Sequence, residues 1–295
     1  MGISFEGSRL ESADIEHFYE KAQRVLKDAQ INEKDFINPE LEEKEGRAFA
    51  DEYSKETVER DLETVKRDEA HHQASEKEEG KEEAKMIAEI FEAIVVEHGE
   101  LSEWFGSNAF TLKTSKYDDY ENGVDIVIEF EEDDSEENSH LGLAADVTFR
   151  SDSTTKFDRI KKLIEKGRLA SVKYFKGAHQ FPEVVVGADK NTVAELAILW
   201  TGNKNKILAE HKIQIMILTQ IREQLIAFSE YADSFGKADV AKAYRESLET
   251  VNRILDGKKE LANKVRFELD DDSVHLNIMS TTARLRTSLQ NKMAA

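Results

Sequence analysis

The sequence predicts an α/β (α+β) chain, with a central domain on a mixed sheet between charged N-terminal helices and a C-terminal helical hairpin. Three observations predict it. Short β-branched runs alternate with amphipathic stretches between residues 82 and 187. Residues 40–80 are rich in charge and poor in apolar side chains. Leu218, Ile221, Leu225, Phe228, Ala232 and Phe235 recur by threes and fours, as do Tyr244, Leu248, Val251 and Leu255. The expected segments are 1–80, an acidic helical region that is partly flexible; 81–202, the α/β domain; and 203–295, the hairpin with a short β-hairpin and a basic final helix.

Each element has a local reason. Residues 12–29 predict a helix, because Ser12 is a capping residue and Ile15, Phe18, Ala22, Val25 and Leu26 form one stripe. Residues 40–80 predict an exposed helix or a disordered connector, in which the adjacent His71 and His72 point different ways and make no metal pair. Residues 82–98 give an amphipathic helix through Ala84, Ile87, Phe91, Ile94, Val95 and His98. Strands follow at Phe110–Lys113, Val124–Phe130 and Leu141–Phe149, with the acidic run EEDDSEEN as a loop. Thr154–Lys166 returns to helical spacing and Gly167 stops it. Two more strands are expected at Ser171–Phe175 and Glu183–Gly187. Gly236 separates the two arms of the hairpin, whose seam could close within one chain or between two through residues 207–261. Alternation at Val265, Phe267, Leu269 and at Val274, Leu276, Ile278 predicts a β-hairpin turning at Asp270–Ser273. Thr281–Lys292 reads as a basic helix.

Composition narrows the chemistry. The absence of cysteine excludes disulfides, thiol nucleophiles and cysteine zinc sites, and fits a reducing, cytoplasmic setting. No signal-peptide run is evident at the N-terminus, and the most apolar stretch, 207–228, carries His211, Lys212, Arg222 and Glu223, so no membrane span is expected. The net charge of −20 divides unevenly: residues 1–140 hold 16 basic and 41 acidic side chains (−25), and residues 141–295 hold 25 and 20 (+5). Contacts to phosphate would therefore come from the second half, while the acidic first half serves solubility or shields or mimics nucleic acid. No Walker or Rossmann glycine loop, GxSxG or HExxH motif occurs; paired acids for glycoside chemistry stay open.

Two acids stand in apolar strands, Asp125 in GVDIVIEF and Asp146 in AADVTF. A carboxylate in such a setting needs a partner, a strand-end turn or a metal. The expected order of helix, three strands, helix and strand, with acids on the second and third strands, resembles the PD-(D/E)XK nuclease superfamily over about a third of the chain. The resemblance implies an αβββαβ core, a Mg²⁺ ion held by Asp125, Asp146 and a helix acid, Glu92 or Glu89, and DNA or RNA as substrate. It also implies a lysine two residues after Asp146, where this sequence has Thr148. Lys173 in VKYF is the first candidate to replace it, ahead of Lys156, Arg159 and Lys161; its alternative is an outward-facing strand residue. Trp104, in SEWFGS, is expected to pack or to stack on a base. Two functions follow: a metal-dependent nuclease or nuclease-derived nucleic-acid-binding protein, and a noncatalytic interaction protein built on the hairpin and acidic helices.

Overall fold

In the computed structural model, residues 12–31, 33, 49, 52–75, 81–131, 139–146, 153–175 and 180–293 are described. Helix α1 (Ser12–Ala29) buries Ile15, Phe18, Ala22 and Leu26 on a single stripe. Helix α2 (Lys55–Ser75) is less exposed than its charge suggests: Val58, Asp61 and Val65 are buried at helical spacing. Val58 packs with Phe49 and Tyr174 in a small cluster of its own. Helix α3 (Lys81–Leu101) inserts Ile90, Phe91 and Ile94 beneath α1 and also lies against the first strand.

The main sheet has four strands. β1 (Ala109–Lys113), β2 (Ile126–Phe130) and β3 (Ser139–Asp146) form an antiparallel meander. The chain then crosses through α4 (Ser153–Glu165), which turns Phe157, Ile160 and Ile164 inward. Gly167, at φ +70°, ends it, with Gly167 N donating to Ile164 O and Arg168 N to Leu163 O. Only Ala170–Ser171 (β4) pairs after that, with Gln180–Phe181 (β5), in a separate two-stranded ladder. The strand expected over 171–175 is cut short because the N–H groups of Lys173 and Tyr174 bond the Asp118 carboxylate instead of a neighbouring strand. β6 (Glu183–Gly187) completes the main sheet parallel to β3, giving the order β1-β2-β3-β6.

The helices that follow close the free edge of β6. After α5 (Lys190–Thr201) and α6 (Asn205–Leu208) comes α7 (Ile213–Ser234), which carries Gln220 and Gln224 one turn apart. Gln224 accepts from Val185 N and donates to Val185 O; Gln220 does the same at Gly187. Two side-chain amides thus take the place of a fifth strand and leave no open ladder there. Helix α8 (Ala238–Gly257) pairs with α7, so the hairpin seam is used within the chain.

The expected β-hairpin at 265–278 is instead α9 (Lys259–Val265), a 3₁₀ turn and α10 (Ser273–Met293). The cause is a cap. Asp272 accepts from Val274 N at 3.0 Å and His275 N at 2.8 Å, which starts a helix rather than a turn. Val274, Ile278 and Leu289 are then buried on one face at helical spacing. The Asp272 carboxylate also accepts from Asp189 N and Thr192 Oγ1, so this residue of the expected turn supplies a structural joint. One hydrophobic cluster draws on all three expected segments, through Phe18, Ile94, Val186, Leu225 and Ile278. Among the described residues no helix is long and apolar enough to cross a membrane.

Candidate functional site

The connection between β1 and β2 builds the site. Lys113 ends β1 and Ile126 begins β2, directly opposite it. Thr114 ties the ends together, with N donating to Asp125 O and Oγ1 to Val124 O at 2.6 Å. Between them the chain forms a π-helical turn at Asp118–Asn122 and leaves it through Gly123 at φ +69°. Val124 and Val127 lie in the same apolar cluster although three residues apart, so the strand alternation breaks at Asp125.

That break gathers four charged side chains. The Lys113 side chain is 4% exposed, and its ammonium donates to Glu92 of α3 at 2.9 Å and to Asp119 at 3.0 Å. Asp125 is buried beside them. Burial works to lower the Lys113 pKa, but Asp119, Glu92 and Asp125 outweigh it and hold the ammonium charged. Burial, reinforced by Asp119 and Glu92, pushes Asp125 well above the usual carboxyl range. Asp119 shifts the other way: burial would raise it, but Lys113 and a hydrogen bond from Asp125 lower it. The two aspartates are thus pushed in opposite directions within one coupled pair, with the Lys113 ammonium against Asp119 and Glu92. Lys156 of α4 favours the charged form of both aspartates.

The expected site residues separate into two groups. Glu92 and Asp125 meet around Lys113. Glu89 does not join them there; it accepts a hydrogen bond from Gln23 of α1, and burial and Glu92 raise its pKa. Asp146 ends β3 and pairs with Gly187. Ile126 pairs with Leu143. The ladder between β2 and β3 ends at that pair, so Asp125 lies just outside it. The Asp146 side chain and Thr148 lie outside the described residues.

Lys173 serves a different place from the one expected. Its ammonium pairs with Asp61 of α2 and sits 4.9, 5.1 and 5.5 Å from the ring centres of Tyr53, Tyr117 and Tyr174. Because residue 173 follows a two-residue strand, strand alternation never aims it at the sheet. Arg159 bonds Glu183 and the carbonyls of Asn122 and Gly123, and Lys161 pairs with Asp158 on the same helix. Trp104 packs: it is fully buried, stacked on His98, with its indole N–H donating to Leu208 O.

Lys113 and Asp119 are the residues that the sequence reading passed over. For Lys113 alone there is a local signal. Ala109, Thr111 and Lys113 share the inward parity of β1, which puts a lysine where an apolar residue would ordinarily sit. Carboxylate oxygens of Glu92 and Asp125 suit a hard divalent cation in donor chemistry, and a cation beside Asp125 would offset the burial and acidic neighbours that raise its pKa. Among the described residues, no group of three or more His, Asp or Glu side chains is close enough to hold a metal. No protein-family model, curated protein or solved structure matches this chain.

Proposed function

We propose that the chain is a metal-dependent phosphodiesterase of the PD-(D/E)XK kind acting on nucleic acid, with Asp125, Asp146 and Glu92 as the metal-binding carboxylates. One observation carries the reading: a buried lysine and two of those acids cluster where β2 begins, in a four-stranded sheet ordered β1-β2-β3-β6. Lys113 takes the part of the lysine that Thr148 lacks, because it brings a desolvated positive charge to the same carboxylates from β1 rather than β3. A bound Mg²⁺ would activate water and offset charge on the phosphate. The chain's own groups bind and orient: Glu92 and Asp125 supply oxygen donors, Asp119 fixes the Lys113 ammonium, and Lys156 on α4 gives the substrate side positive charge.

The test is cleavage of single- and double-stranded DNA and RNA with Mg²⁺ or Mn²⁺, comparing the wild type with Asp146→Ala and Asp125→Asn. The expected result is metal-dependent cleavage that falls at least about a hundredfold in either variant. Equal activity in wild type and both variants refutes the assignment. A second reading, a noncatalytic interaction protein, is favoured by the fact that Lys113 already pairs with Glu92 and Asp119 and so occupies the carboxylates a cation would need. It predicts no cleavage and no Mn²⁺ binding by the wild type.

A further inference from the structure

The π-helical turn Asp118–Asn122 is clamped at its start by the buried Asp118 carboxylate and at its end by the partly exposed Arg159 guanidinium. At its start, the Asp118 carboxylate is fully buried and accepts four hydrogen bonds. They come from Ser115 Oγ at 2.8 Å, Asn122 Nδ2 at 2.6 Å, Lys173 N at 2.6 Å and Tyr174 N at 2.9 Å. At its end, the Arg159 guanidinium donates to Asn122 O, to Gly123 O at 2.9 Å, and to Glu183 at the start of β6. A Cβ on Gly123 would lie 2.4 Å from Arg159 Nη1, and the positive φ there also disfavours any side chain. A π turn has poorer backbone bonding than an α turn, and such turns persist where the surroundings fix them. Here the clamps come from three other parts of the chain: the 173–174 bend, α4 and β6.

We infer that this turn is a bracket that sets Asp119 against Lys113 and Asp125, and that Arg159 and Asp118 are its positioning residues. The catalytic meaning of the bracket rests on the phosphodiesterase reading; the geometric claim does not. Asp118 and Asp119 are consecutive but divide the work, one anchoring the turn and the other holding the Lys113 ammonium. Without the Arg159 clamp, the carbonyls of 122 and 123 lose their donors, and the turn relaxes toward an ordinary loop. Asp119 then withdraws from the ammonium.

The test reads Lys113 directly. In protein labelled with ¹⁵N-lysine, an ammonium buried between two carboxylates gives a resolvable NMR signal, and amide exchange over residues 118–124 reports the turn. In Arg159→Met, exchange over 118–124 is expected to rise at least about tenfold, with the Lys113 signal shifted or lost. Arg159→Lys, which can satisfy one carbonyl, is expected to lie between the two. If Arg159→Met does not fold, Glu183→Gln, which weakens the anchor of Arg159, replaces it in the same two measurements. An unmoved Lys113 signal in a variant whose turn has loosened overturns the inference, as does a turn unaffected by removal of the guanidinium. Neither readout requires cleavage. In active protein, kcat is expected to fall about tenfold with KM within about threefold.

Discussion

Glu183→Gln tests how burial controls charge at the anchor of the turn. The Glu183 carboxyl is 1% exposed; one oxygen takes the Arg159 guanidinium and the other has no hydrogen-bond partner among the described residues. Burial pushes its pKa from 4.5 up to about 7, against the opposing pull of Arg159 and Lys156. The folded protein therefore binds this proton more tightly than the unfolded chain. The stability that the proton confers is fully present below the unfolded value and is lost as pH rises through the folded one. A rise from 4.5 to about 7 corresponds to about 3 kcal/mol, most of it lost between roughly pH 5 and pH 8. Gln cannot ionise, so the variant lacks this component while other groups titrate as before. Urea unfolding of both proteins across that range is expected to show the wild type losing about 3 kcal/mol relative to the variant. A difference that stays constant from roughly pH 5 to pH 8 would refute the claim that Glu183 is charged at a cost when folded.

Two further substitutions address the buried charge cluster and the corrected hairpin. Lys113→Met leaves Glu92 and Asp119 without their shared ammonium, and is expected to destabilise by about 3–5 kcal/mol; chemical denaturation reads this, and a loss below about 1 kcal/mol would show that the cluster is solvated. If the phosphodiesterase reading holds, Mn²⁺ should recover part of that loss, because a divalent cation can replace the missing charge. Asp272→Ala removes the α10 cap and the acceptor for Asp189 N and Thr192 Oγ1, at an expected cost of about 2–4 kcal/mol. Denaturation followed by circular dichroism checks it, and a neutral result would mean that α10 starts without this joint.

Local pattern alone determined much of this protein. The stripe in residues 12–29, the IVIEF part of the strand expected over 124–130 and the helix stopped at Gly167 follow the local pattern, because helical spacing, β-branched runs and a left-handed stop act over a few residues. Glu92 likewise lies on the helix before the sheet, while Asp125 falls one residue ahead of the strand expected to carry it. Where local pattern failed, a distant partner intervened. Alternation at 265–278 was compatible with strand or helix, and the cap at Asp272 together with a face packed on α7 chose helix. The bend at Lys173 exists because Asp118, 55 residues earlier, takes its N–H.

The candidate site shows the division most sharply. Glu92, Asp125 and the absence of a lysine at position 148 were legible in the sequence, and Asp119 was not. The sequence did not supply Lys113, because nothing within a few residues of Lys113 reveals that Glu92, 21 positions earlier, and Asp119, across a π turn, converge on one ammonium. Which lysine serves the acids is decided by strand register and desolvation. Both are properties of the packed chain, and they send Lys173 to α2 and Lys113 to the start of β2.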